Sequence, residues 1–433
     1  MSIVGSFMLP HPPLAVEEVG RESVAQIKLT IDSYLEVAKE ISELKPDTIV
    51  ISSPHAPLYS DCFFMPKESI LEGSFSRFGT ASVSFKEEVD IELINEIESI
   101  SKSIDFPAYK LDMSGGLDHG TMVPLYFIRK YLSNFKIVVI GLSGISLDAN
   151  YKMGTIIKKA IDNLDRRVVY VASGDLSHKL KEDGPYGFVK EGPIYDEKII
   201  DVMKEAKFEE LLKFDEDLLE KAAECGHRSF IIMSGALENT KVKPRFYSHQ
   251  DVTGVGYGIC SYYPVDPYVE LATRTINKYI KEKEVLEIDD SIPKEITSIR
   301  SAAFVSIHEH GMLRGCIGTI LPTKTSLAKE IIDNAISAAT RDPRFKPIRE
   351  DELPYLEINV DVLTIPEDIE SKEELNPKIY GVIVTSGFKR GLLLPDLEGV
   401  DTVDEQISIS KKKAGITDDE EISLQRFKVI RHK

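Results

Sequence analysis

The sequence predicts two folded units: an α/β unit with a largely parallel sheet flanked by helices, then a smaller α+β unit. Three observations lead there. The chain has 433 residues, more than one hydrophobic core usually serves. Up to about residue 264, short Val- and Ile-rich runs alternate with amphipathic stretches, the grammar of strands joined by crossover helices. Past that point the alternation gives way to a hairpin pattern between two helical stretches.

The elements follow in order. Val4 to Leu9 reads as a buried strand, and a helix is expected from Val16 to Leu44, with apolar residues at helical spacing through Val24, Ile27, Leu29, Ile31, Leu35 and Val37. Thr48 to Ser53 is the second strand, and the runs from Ile137 to Leu142 and from Val168 to Ser173 supply two more. A glycine-rich strand from Val252 to Tyr263 closes the unit. The join falls at Tyr263-Pro-Val-Asp-Pro, where two prolines break the pattern and Asp266 can cap the next helix. The units are therefore 1–264 and 266–433. In the second, Tyr268 to Glu284 is an amphipathic helix and Ala302 to Gly318 a β-hairpin turned near Gly311. A helix from Ser326 to Thr340 and strands at Ile358–Leu363 and Gly381–Ser386 complete it.

Composition narrows the function. With 42% hydrophobic and 29% charged residues the chain can bury two cores, so disorder is not expected. A net charge of −18 argues against a general nucleic-acid surface. No apolar run approaches a bilayer span, so no membrane association is expected. Four cysteines without CxxC spacing suit reduced thiols, and the expected location is cytoplasmic.

The histidines carry the chemistry. His11 ends the first strand in Leu9-Pro-His-Pro-Pro, and His55 ends the second in Ser53-Pro-His-Ala-Pro. His178 follows a third in Ser173-Gly-Asp-Leu-Ser-His. Open parallel sheets bind ligands at the carboxyl ends of their strands, so these imidazoles gather on one edge. The flanking prolines forbid helix there and fix the chain's direction. The bland alternative makes each a solvated loop residue, but two proline-framed histidines at strand ends favour a metal site. A third ligand is available in Ala223-Glu-Cys-Gly-His, where Glu224 and Cys225 are adjacent and spacing does not choose between them. Glu224 would make a facial triad suited to Fe(II), whereas Cys225 would favour copper or zinc. His119 precedes a helix and either touches a substrate or caps that helix. Asp175 either orients His178 or is an ordinary turn residue.

The order HPPL, SPHAP, DHGTMVPL, SGDLSH and ECGHRS resembles the LigB-type class III extradiol dioxygenases and their relatives, the Memo family, over residues 1–264. The resemblance implies Fe(II) held by His11, His55 and Glu224, His178 as acid/base, and His119 on the substrate pocket. It also implies a catechol-like aromatic substrate, dioxygen as co-substrate and a homo-oligomer. Memo proteins instead place a cysteine in a CGR-like segment, which Cys225-Gly226 matches. That relation implies a metal- or ligand-binding protein without ring cleavage.

Residues 266–433 resemble the AMMECR family through Leu313-Arg-Gly-Cys-Ile-Gly, Thr340-Arg-Asp-Pro-Arg-Phe and Gly391-Leu-Leu-Leu-Pro-Asp. The resemblance implies a shared pathway with radical SAM proteins, and so a radical SAM partner, but no reaction. Arg314 beside Cys316 could lower the thiol's pKa, although alternation with apolar positions reads Cys316 as packing. Gly315 and Gly318 are expected to allow close backbone approach. Arg341, Asp342 and Arg344 form either an anion pocket or a structural ion pair.

Overall fold

The computed structural model describes residues 3–113, 115–289, 291–397 and 399–432. The chain divides into two compact units, Met1–Pro264 and Val265–Lys433. Among the described residues no helix is long and apolar enough to cross a membrane.

Among its described residues the first unit has ten strands: β1 (Ile3–Leu9), β2 (Thr48–Ser53), β3 (Phe63–Pro66), β4 (Ile70–Phe75), β5 (Thr80–Glu88), β6 (Ala108–Leu111), β7 (Lys136–Gly141), β8 (Val168–Ser173), β9 (Val242–Gln250) and β10 (Tyr257–Pro264). Eight form one sheet in the order β6-β3-β7-β2-β8-β1-β10-β9, and β4 with β5 makes a separate hairpin. The middle of the sheet is parallel: β1 and β2 flank β8, and β7 lies beyond β2. Every residue of β2 and β8 is buried, as expected for continuous Val/Ile runs covered by helices on both faces. Antiparallel pairing enters at β10, β9 and β3.

The register matters for function. Leu9 of β1 pairs with Ser173 of β8, and Ser52 of β2 pairs with Ala172. The three histidine-bearing ends therefore stop level with one another, on adjacent strands.

Two expectations are corrected. The long first helix is broken: Glu17–Gly20 is α-helical, Arg21–Ile27 is a 3-10 turn, and the straight helix is Lys28–Leu44. Arg21, at φ 49°, interrupts the path in a conformation that disfavours a side chain. The closing strand begins at Tyr257 rather than Val252 because Gly254, at φ 84°, and its neighbours form a turn. The segment before that turn, Val242–Gln250, is β9, which sequence reading did not pick out.

The second unit has two four-stranded antiparallel sheets. Helices Pro267–Glu282 and Leu327–Thr340 share an apolar core with strands Ala303–Glu309 and Leu356–Leu363. Asp266 caps the first of these helices, accepting from the N–H groups of Tyr268 and Val269. Its hairpin turns through His310 and Gly311, both at positive φ, between the paired Glu309 and Met312. That is the two-residue turn whose twist suits antiparallel strands.

One cap positions a site residue directly. Asp118 begins the helix His119–Ile128, its Oδ1 accepting from Thr121 N–H at 3.0 Å and from the Ser53 hydroxyl at 2.6 Å. Asp118→Ala is expected to cost about 1–2 kcal/mol, read as a lower urea midpoint at unchanged slope, with Asp118→Asn restoring most of it.

Candidate metal centre

Three adjacent strand ends deliver His11, His55 and the Asp175–His178 loop to one place. The imidazoles of His11 and His55 meet at an Nε2–Nε2 distance of 3.0 Å. Cys225 Sγ lies 3.5 Å from His11 Nε2. The three ligand atoms fall within 4.8 Å of one another, so they can converge on one ion.

The tautomer of His11 follows from its neighbours. The Ser173 hydroxyl donates to the Gly120 carbonyl at 2.5 Å. Having spent its proton there, Ser173 Oγ can only accept from His11 Nδ1, at 2.9 Å. His11 thus carries its proton on Nδ1 and turns the Nε2 lone pair towards His55 and Cys225, the arrangement a metal ligand needs. The Tyr34 hydroxyl donates to the Pro10 carbonyl, and the His11 backbone N–H donates to Asp175 Oδ1 at 2.7 Å, fixing the loop from both sides.

Cys225 reaches the site because two glycines let main chains touch. A Cβ on Gly174 would sit 2.1 Å from the Cα of Gly226. Gly226 N–H donates to the Asp175 carbonyl at 3.1 Å, and Asp175 N–H to Cys225 Sγ at 3.3 Å. Of the two adjacent candidates it is therefore Cys225 that meets the imidazoles. Glu224 does not join them: its carboxylate accepts from His227 N–H at 2.6 Å, at the start of helix His227–Ala236.

His119 stacks on His55 with ring centroids 4.0 Å apart and meets Phe78 edge-on at 5.3 Å. It is both the first residue of its helix and a wall of the site, while capping falls to Asp118. His178 stacks on Tyr186 at 5.2 Å, and its buried Nε2 has no hydrogen-bond partner among the described residues. Asp175 serves His11 rather than His178: among the described residues no hydrogen bond joins Asp175 to the His178 ring, and its Oδ1 is taken by the His11 amide. A cavity of about 1080 Å³ opens on His55 and His119, walled by Phe78, Arg77, Leu117 and Met122. Ser173, Phe78 and Tyr186 were missed in the sequence. Ser173 could have been noticed as the polar end of a strand, whereas Phe78 comes from the β4–β5 hairpin and carries no local signal.

Burial sets the protonation states. It lowers His11, His55 and His178 and brings His119 down to about 3, so these imidazoles are neutral near pH 7. It raises Asp175 to about 6 and Glu224 to about 7, and pushes the Cys225 thiol well up. Neutral imidazoles offer lone pairs, but the thiol must lose its proton to bind, so an ion that enters would displace it.

In the second unit Arg314 is held by Glu352, at 2.9 and 3.2 Å, and by the Lys346 carbonyl. The Cys316 thiol instead accepts from the Ser306 hydroxyl at 3.2 Å. Asp342 pairs with Arg344 at 2.7 Å and accepts from Cys316 N–H at 2.9 Å, a structural ion pair rather than an open anion pocket. Arg344 holds its carboxyl below the usual range. A Cβ on Gly315 would lie 2.3 Å from the Ala338 carbonyl oxygen, and one on Gly318 2.1 Å from the Phe304 ring. Both glycines permit close approach.

A largely parallel sheet that gathers His11, His55 and the Asp175–His178 loop at three adjacent carboxyl ends, with Cys225 beside them, is an α/β architecture with a candidate metal site. Within it, residues 5–260 match the family described as the catalytic LigB subunit of aromatic ring-opening dioxygenase, and residues 269–432 match AMMECR1. The chain belongs to the LigB family, with an AMMECR1 domain fused behind it. A protein of Clostridium acetobutylicum is 39% identical, over all of both chains. A Thermotoga maritima protein is 54% identical over 39% of this chain and 97% of its own. A solved structure of an uncharacterized Pyrococcus horikoshii protein, 31% identical, covers 38% of this chain and 88% of its own with a TM-score of 0.35. The LigB family suggests a metal cofactor, and the chain offers a His–His–Cys site for one.

His227, next to this site, gives a pH test. It is fully buried, Nε2 donating to the Leu211 carbonyl at 2.9 Å, and burial lowers its pKa from 6.5 to about 4. Above pH 6.5 both folded and unfolded states hold it neutral. As pH falls below that, the unfolded chain takes up a proton that the folded chain refuses, and stability is lost. Between pH 7 and pH 5, His227→Gln is expected to lose about 2 kcal/mol less than the native protein, measured by urea unfolding at the two pH values.

Proposed function

We propose that the first unit is a metal-dependent oxidoreductase of the extradiol ring-opening type, taking a catechol-like aromatic and dioxygen. The observation that carries this reading is the meeting of His11 Nε2, His55 Nε2 and Cys225 Sγ beside an unpartnered His178 ring nitrogen. His11, His55 and Cys225 would hold the ion. An ion held there would supply positions for both reactants and would acidify a bound hydroxyl.

The remaining work belongs to side chains. His178, neutral at pH 7, accepts a substrate hydroxyl proton on Nε2 and returns it later. The rigid stack on Tyr186 limits rotation of that ring. His119, kept neutral, and Phe78 offer flat faces and edges to an aromatic entering from the cavity.

The donor set does not fit the two-histidine, one-carboxylate triad typical of non-haem Fe(II). Cys225 in the third position favours a second reading, in which the unit holds copper or zinc and cleaves no ring.

The test is metal content after purification without oxygen. Near-stoichiometric metal is expected in the native protein and in Glu224→Ala. It should fall at least tenfold in Cys225→Ala, and the His11→Ala/His55→Ala double variant should lose the ion that these two imidazoles hold. Iron together with oxygen uptake on a catechol panel supports ring opening. Copper or zinc without uptake supports the second reading, and absence of metal after reconstitution rejects both.

A further inference from the structure

Cys225 belongs to two ligand sets. One is the His11–His55–Cys225 site, and the other is Asp175, His178 and Cys225, whose ligand atoms also fall within 4.8 Å of one another. The function proposed above uses only the first as a metal site.

Each member of the second set has a donor to spare. His178 Nε2 is buried and has no hydrogen-bond partner. Asp175 spends Oδ1 on the His11 amide at 2.7 Å. Its Oδ2 makes no hydrogen bond among the described residues, the nearest imidazole nitrogen being His11 Nε2 at 3.9 Å. Cys225 Sγ receives the Asp175 amide and a long contact with His11, and its thiol reaches the Asp175 carbonyl at 3.8 Å, a bond given up when the thiol is deprotonated. A carboxylate oxygen, a sulfur and a buried, unpaired imidazole nitrogen thus converge, although buried polar atoms are normally paired. A divalent cation pairs all three at once.

The backbone around them is held independently of any ion. Ser177 N–H donates to Asp196 Oδ1 at 2.8 Å, and the other Asp196 oxygen accepts from His249 Nε2 at 2.8 Å. Gly256 N–H donates to the Ser177 carbonyl at 2.8 Å, and His178 N–H to the Ala222 carbonyl at 3.2 Å. The loop between Asp175 and His178 is therefore preformed, and binding need not order it.

We propose that Asp175, His178 and Cys225 form a second cation site, of zinc type, sharing the Cys225 thiolate with the ion of the His11–His55 pair. A His–Cys–carboxylate set is chemistry zinc accepts, and a thiolate has lone pairs enough to bridge two ions. Filling the second site occupies the His178 nitrogen and stops its proton transfer. Excess zinc is thus an inhibitor of the centre. The ligand set stands whether or not ring opening occurs; only the inhibition rests on that function.

The test uses the full-length chain, stripped by chelator without oxygen, titrated with Zn²⁺, desalted and counted by elemental mass spectrometry. The native protein is expected to hold two ions per chain. His178→Ala and Asp175→Asn should each hold one, and the His11→Ala/His55→Ala double variant should also keep one, with circular dichroism confirming the fold of each. Co²⁺ added in place of zinc should raise sulfur-to-metal charge-transfer absorption with both the first and the second equivalent. Saturation at one ion in the native protein overturns the site, as does a folded His178→Ala that still holds two. A second Co²⁺ equivalent without added charge-transfer absorption overturns the sharing of Cys225. A protein that binds two ions yet opens no catechol ring keeps this site and loses the proposed function.

Discussion

The candidate metal centre hangs on the contact between Gly174 and Gly226. The parallel sheet alone brings His11, His55 and the His178 loop together, because their strands are neighbours in register. The sulfur arrives from a segment 50 residues beyond Asp175, on a turn that must press its backbone against the end of β8. A side chain at either glycine would occupy the space of the other's backbone. The same contact lets Gly226 N–H bond the Asp175 carbonyl and leaves Glu224 to meet the helix beside it. Main-chain proximity thus brings the Cys225 sulfur, and not the Glu224 carboxylate, beside the two imidazoles.

Burial then gives the centre its electrical character. Four imidazoles are drawn together at the level of the sheet edge, and a low-dielectric surrounding disfavours charge on every one. Asp175, Glu224 and Cys225 are likewise pushed towards their neutral forms. Neutral imidazoles can be packed without a counter-ion, and a cation that entered would displace the Cys225 proton. Metal entry, proton release and stabilisation of the fold are linked in such a site.

The second unit shows the same residue types put to another use. Cys316, Asp342 and Arg344 look reactive as a string, but their side chains are satisfied by Ser306, by a backbone amide and by one another. Glu330 is similarly consumed, accepting from Thr319, Thr323 and Lys324 to close a loop over its own helix. These polar groups hold connections between strands and helices.

Sequence by itself determined the α/β class, the strands that carry His11, His55 and His178, the cap at Asp266 and the hairpin at Gly311. Each of these is written in a few consecutive residues, through apolar period, proline framing or turn chemistry. Sequence also narrowed the third ligand to two neighbours and stopped there, since Glu224 and Cys225 differ by one step along the chain. Only the tertiary structure decided which of them faces the imidazoles, because that depends on the distance between two glycines far apart in sequence. It also decided that Ser173 sets the His11 tautomer, that Asp175 serves His11 rather than His178, and that Phe78 borders the site. All of these are contacts between segments remote along the chain, and no local pattern encodes a distance that sheet order and backbone packing create.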